Sequence, residues 1–124
     1  MVKWTLEQLE SIVTSDDFHV APYREDGTTL GTLIWVWAVP IGDVVYVRTG
    51  NRSSRWFAAA SQQRAGHATG GGYAGPVTFD HVIDETLKDR IDAAFTSKYE
   101  SDAYFSVDLV QRSRAQIVGI TPAA

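Results

Sequence analysis

Leu33-Ile-Trp-Val-Trp-Ala-Val-Pro-Ile41, then Gly42-Asp43, then Val44-Val-Tyr-Val-Arg-Thr49 is the stretch on which the fold turns. It is dense in β-branched and aromatic residues, and a two-residue Gly-Asp break divides it. That pattern predicts two strands joined by a tight hairpin turn. The first strand is read over Leu30 to Pro40. It is apolar on both faces, with Leu33, Trp35, Trp37 and Val39 on one and Ile34, Val36 and Ala38 on the other. An apolar run without alternation predicts a central strand buried on both sides. The second strand is read over Val44 to Thr49.

Upstream, Thr5-Leu-Glu-Gln8 has the form of a capping box, and Leu6, Leu9, Ile12 and Val13 follow at helical spacing. A helix is predicted over Thr5–Val13, a strand over Asp16–Tyr23 and a hairpin turn at Glu25-Asp26-Gly27. Downstream, Ser54 is placed to cap a helix over Arg55–Arg64. Ala65–Gly75 is small and glycine-rich and reads as loop or an irregular strand pair. Pro76–Val82 alternates like a strand. Asp84 caps a helix to Tyr99, with Leu87, Ile91, Ala94, Phe95 and Tyr99 on one stripe. Ala103–Gln111 fits either helix or strand, and Arg114–Thr121 reads as the last strand. Short connections and early hairpins favour antiparallel pairing. The expected fold is α+β: one domain over residues 1–124, a small antiparallel barrel with two or three packed helices.

The formal charge of −4 over 124 residues conceals a division. From Val44 to Phe79 there is no Asp or Glu, while Arg48, Arg52, Arg55 and Arg64 give +4, leaving −8 for the rest. An acidic majority argues against nucleic acid as a partner. The basic stretch crosses a strand end, a Gly/Asn/Ser loop and a helix start. Loop amides and a helix N-terminus offer unpaired N–H donors and partial positive charge. Ser53 and Ser54 add hydroxyls, and Arg48, Arg52 and Arg55 add forked donors suited to phosphate. The expected site is therefore one for a small anion, with no local carboxylate to compete for the arginines. Trp35, Trp37, Trp56, Tyr46, Phe57, Tyr73 and Phe79 supply aromatic faces around the segment, Trp56 and Tyr73 being the better placed to flank a flat ring.

Other chemistries find little support. The chain has no cysteine, which removes disulfides, thiolate metal sites and a cysteine nucleophile. His19, His67 and His81 lack metal-ligand spacing, so no metal is expected. No lysine lies between Lys3 and Lys88, which excludes a nucleotide-triphosphate loop in the segment. Gly70-Gly-Gly-Tyr-Ala-Gly75 has dinucleotide-loop spacing, but Pro76 and a strand follow it where a helix is required. No serine sits in a nucleophile elbow. With no basic leader before an apolar run and no span-length apolar segment, the expectation is a soluble, cytoplasmic protein without membrane attachment.

Several of these pieces also resemble a small bacterial family known as a domain of unknown function. They are Leu33-Ile-Trp35, Gly42-Asp-Val-Val-Tyr-Val-Arg-Thr49, Arg55-Trp56, Gly70-Gly71, Val77-Thr-Phe79 and Ile91-Asp-Ala-Ala-Phe-Thr-Ser-Lys-Tyr99. The resemblance runs from Trp4 to Pro122. The family is in turn distantly similar to split β-barrel flavin-binding proteins, the deazaflavin-dependent nitroreductases in particular. It implies a split barrel, often a homodimer, binding FMN or a deazaflavin coenzyme as an oxidoreductase. Cofactor contacts would come from Arg48, Thr49, Ser53, Ser54, Arg55 and Trp56, with Tyr73 as a further ring contact. Two features depart from the nitroreductase pattern: Phe57-Ala58-Ala59 follows Trp56 where an asparagine is usual, and the phosphate lysine is absent. A non-redox domain binding a small phosphorylated or carboxylated aromatic metabolite is the alternative.

Overall fold

The computed structural model describes residues 3–123. Helix α1 (Leu6–Thr14) precedes strands β1 (His19–Pro22), β2 (Ile34–Trp35), β3 (Ala38–Ile41) and β4 (Val44–Arg48). Helix α2 (Arg55–Gln63) leads to β5 (Ala65–Gly70) and β6 (Tyr73–His81); α3 (Glu85–Tyr99), α4 (Val107–Ser113) and β7 (Ile117–Pro122) complete the chain. All strand pairs are antiparallel, in the order β2-β1-β5-β6-β7-β4-β3. The result is a seven-stranded curled half-barrel with four helices, an α+β split-barrel-like fold.

The curl follows from connectivity. A flat sheet of seven strands would hold its two edges roughly 29 Å apart. Here the edges are β2 and β3, joined only by Val36 and Trp37. That link is three Cα steps and spans at most about 11 Å. The two edges are drawn together at this corner, and the sheet must roll.

This corner corrects the reading of Leu30–Pro40 as one central strand. The run is broken, and its halves lie at opposite edges. Its apolarity on both sides is met by different layers. Val36 enters the barrel core, its N–H donating to the Phe18 carbonyl. Trp37 stacks on Tyr99 of α3, 4.2 Å between ring centres and 3° between planes. Trp35 remains about half exposed, held by its indole N–H to the Asp16 carbonyl. The strands covered on both faces are β4 and β7. Val45 and Val47 face the inner core with Val77, Phe79, Val118 and Ile120, while Tyr46 joins Ile91, Phe95 and Tyr99 under α3.

The capping signals are satisfied. Thr5 and Gln8 close a capping box, and Ser54 and Asp84 each accept from the backbone three residues on. Gly42, at φ 60°, supplies the positive-φ position of the β3–β4 turn. The segment left as loop or irregular strands is a regular hairpin, with six paired positions between β5 and β6. Gly66, Gly70 and Gly71 allow close approach to the protein's own backbone. A Cβ on Gly71 would stand 2.8 Å from the Gln8 carbonyl oxygen and 2.7 Å from Ile12 of α1. Of Ala103–Gln111, left open between helix and strand, the second half enters α4, capped by Ser106. No helix among the described residues is long and apolar enough to cross a membrane.

Candidate functional site

Strand β4 carries Arg48 to its end, and the loop Thr49–Ser54 turns the chain into α2. The loop is built by its own amides. Asn51 Oδ1 accepts from the Ser53 N–H, and the Asn51 carbonyl accepts from the Ser54 N–H. Gln116, ahead of β7, donates from Nε2 to the Thr49 and Asn51 carbonyls, 2.9 Å each. Ser54, buried, then caps α2 through Oγ and the Phe57 N–H.

Beside this loop lies a cavity of about 230 Å³. Its lining is largely aromatic: Trp35 and Trp37 from the β2–β3 corner, Trp56 from α2, Phe95 from α3 and Tyr104 from the α3–α4 connection. Val36, Arg48, Thr49, Gly50 and Leu109 complete it, and no carboxylate is among them. Three of the expected residues, Arg48, Thr49 and Trp56, thus share one wall. Ser54 is spent on the cap. Ser53 and Arg55 are exposed on the loop and the first turn of α2, outside the lining. Tyr73 packs edge-on against Trp4 at 5.1 Å and donates to the Pro76 carbonyl, also outside the lining.

The expectation that no carboxylate competes for the arginines is overturned at two of them. Arg48 is buried and held on three sides, although Nη1 and Asp92 Oδ1, close enough to pair, are not aligned for a hydrogen bond. Its Nη1 lies 2.7 Å from Asp92 Oδ1, its Nε donates to Ser113 Oγ at 2.7 Å, and its Nη2 to the Val110 carbonyl at 2.7 Å. The guanidinium also sits 5.0 Å from the Phe95 ring centre. Burial pulls its pKa below the ordinary value and Asp92 opposes that, so the group stays charged. Arg64 pairs with Asp80 on β6. Asp92 lies on α3, 44 residues beyond Arg48, and Asp80 on β6, one residue past the acid-free stretch, so neither falls within Val44–Phe79. Arg52 and Arg55 are different: both are exposed, and neither makes an ion pair among the described residues.

Arg55 is the first residue of α2, whose first turn holds no acidic residue. Two cations therefore stand at the positive end of a helix dipole, a placement that is electrostatically unfavourable for the protein alone. Phe95, Tyr104 and Leu109 are lining residues that sequence reasoning did not connect with the segment. Phe95 was visible only as part of a helical stripe, and nothing local marks the other two. No cluster of three His, Asp or Glu side chains suited to a metal occurs among the described residues.

Residues 8–120 match the family described as "Uncharacterized protein conserved in bacteria (DUF2255)". That is most of the chain, and the protein belongs to this family. No curated protein matches it.

Proposed function

We propose that this DUF2255 protein binds a flat, anionic aromatic cofactor of the FMN or deazaflavin type and acts as an oxidoreductase through it. The observation that carries the reading is the pairing of an aromatic cavity free of carboxylates with two uncommitted arginines at the N-terminus of α2. An anion at that position turns an unfavourable arrangement of charge into a favourable one. Arg52, Arg55, the Ser53 hydroxyl and the free N–H groups of the first turn would hold the phosphate. Trp56 and Trp35 would flank the ring, with Thr49 at its edge. Arg48 is left to shape the wall from behind, held there by Ser113, the Val110 carbonyl and the Asp92 charge. When bound, such a cofactor supplies hydride transfer itself, so the protein need only bind, orient and exclude water. Trp35 and Tyr104, both lining the cavity, are 48% and 84% exposed. A second copy closing over them belongs to the same proposal, a homodimer.

The cavity volume of about 230 Å³ favours a second reading. It falls below the roughly 300–1,000 Å³ of common ligand pockets. A single-ring aromatic phosphate or carboxylate, held without redox chemistry, fits that space more readily than a three-ring cofactor.

Titration with FMN and with a deazaflavin coenzyme, followed by tryptophan fluorescence and the visible spectrum, separates the two. Quenching that saturates in the micromolar range is expected, and R52A/R55A should weaken it at least tenfold. No binding of either at tens of micromolar ends the oxidoreductase reading. Binding of 4-nitrophenyl phosphate alone selects the second.

A further inference from the structure

A second cavity, of about 730 Å³, is distinct from the aromatic one. Tyr99 lines it, while its stacking partner Trp37 lines the aromatic cavity. The end of α1, the β3 strand and the end of α3 form its walls, and Lys98 is in the lining with Asp16 and Asp102. Lys98 comes from the Ala-Ala-Phe-Thr-Ser-Lys-Tyr helix end, whose Phe95 lines the aromatic cavity but whose lysine the proposed cofactor reading does not use.

The lysine amine is unusually placed. Nζ lies 2.6 Å from the Ile12 carbonyl oxygen and 2.6 Å from the Ala38 carbonyl oxygen, and it makes no ion pair among the described residues. An ammonium presents three N–H donors, whereas a neutral amine presents two and a lone pair. Two backbone acceptors and no carboxylate partner suit the neutral amine, while the Tyr99 ring, its centre 5.0 Å from Nζ, also accommodates the ammonium. Both N–H groups of the neutral amine are taken, which leaves the lone pair for the cavity. Burial pulls the Lys98 pKa down to about 8, with Asp16 opposing the shift. Asp16 is itself raised, first by burial and then by the Asp102 carboxylate.

From this geometry we infer that Lys98 is a nucleophilic amine that captures a small neutral, hydroxyl-bearing aldehyde or ketone as an imine. Thr14, Ser97 and Ser101 offer hydroxyls to such a substrate, and Asp16 and Asp102 disfavour an anionic one. In the first step Nζ bonds to the carbonyl carbon, and one of its protons passes to the carbonyl oxygen. In the second the C–O bond breaks, a carboxyl proton from Asp16 leaves with the hydroxyl as water, and the nitrogen lone pair forms C=N. The product is an iminium beside the resulting carboxylate, with no oxidant or reductant required.

The two carbonyls tolerate this loss of a donor. The iminium keeps one N–H. Ala38 O has a second donor in the Tyr99 hydroxyl, at 3.2 Å. Ile12, in the last turn of α1, has no intrahelical partner for its carbonyl and takes the remaining N–H.

Three lysines make the test clean: Lys3, Lys88 and Lys98. The intact protein is incubated at pH 7.5 with glycolaldehyde and cyanoborohydride, and the adducts are mapped by peptide mass spectrometry. At that pH roughly a quarter of an amine titrating near 8 is neutral, against about 0.1% of an ordinary lysine. Trapping at Lys98 is expected at least tenfold faster than at Lys3, levelling off above pH 8, and slower with glyoxylate in place of glycolaldehyde. K98R retains donors for both carbonyls and should fold as the parent while losing the fast adduct. Trapping at Lys98 no faster than at Lys3, or a rate still climbing at pH 10, overturns the inference.

Discussion

Removing the Asp92 carboxylate by Asp92→Ala tests whether Arg48 is committed to the fold. The Arg48 side chain is 3% exposed and Asp92 is 21% exposed. Deleting one partner of a buried pair costs about 3–5 kcal/mol, because the remaining charge stays desolvated. Asp92 lies near enough to the surface for water to enter the gap, which places the loss near the lower bound, about 3 kcal/mol. The other partner of Asp92, Arg114, keeps Asp89 at 2.8 Å and adds little to the loss. With a urea slope of about 1.5 kcal/mol/M, the unfolding midpoint should fall by about 2 M. Replacing both partners by apolar residues, R48M/D92L, should return to within about 1 kcal/mol of the parent, since no charge is then stranded. Equilibrium urea unfolding monitored by tryptophan fluorescence measures all three variants. A loss under about 1 kcal/mol for D92A, or a double variant as unstable as the single one, would falsify the locked arginine. Arg48 would then be hydrated and free to take a ligand anion.

Five other positions carry expectations of the same kind. R55E puts a carboxylate at the first turn of α2; it should raise stability by about 0.5 kcal/mol while lowering affinity for FMN, as thermal unfolding and titration of one sample will show. Ser54→Ala removes the α2 cap and should lower stability by about 1 kcal/mol in urea unfolding. Gly66→Ala brings a Cβ to 2.4 Å from the Ala21 carbonyl oxygen and 2.6 Å from Pro22 Cα, forcing β1 and β5 apart. It should cost about 2–3 kcal/mol, and an unchanged thermal midpoint would refute the close approach. Lys98, held down to about 8, is deprotonated in the folded state while the unfolded chain still binds that proton up to about 10.5. Stability should therefore rise between these pH values, and the rise should vanish in K98R. Tyr99 acts in the opposite sense. Burial pushes its phenol up to about 12, so its contribution is complete below pH 10 and is lost from there towards 12. Y99F should flatten that alkaline fall.

The elements set by local rules were legible without coordinates. Thr5, Ser54 and Asp84 cap helices because a short side-chain oxygen can reach an unpaired amide two or three residues on, wherever the rest of the chain lies. The α3 stripe and the Gly42-Asp43 turn are local in the same way. Leu30–Pro40 is ambiguous by sequence because an apolar run is equally consistent with one strand covered twice and two pieces covered by different layers. The candidate site was legible as a strand, loop and helix start. It was not legible as a cavity, since Phe95, Tyr104 and Leu109 approach it from well over 30 residues away. Nor was the engagement of Arg48, whose carboxylate lies 44 residues further along the chain.

Sequence alone determined the antiparallel α+β class, most helix boundaries and a segment rich in arginine and poor in acid. These rest on interactions between neighbours in the chain or on counts along it. Tertiary structure decided which strand is central, which arginines remain uncommitted and which lysine faces a cavity. Burial and pairing with distant groups govern those properties. Arg48 and Arg55 look alike in the chain, yet Asp92, Ser113 and the Val110 carbonyl close around the first and leave the second in solvent.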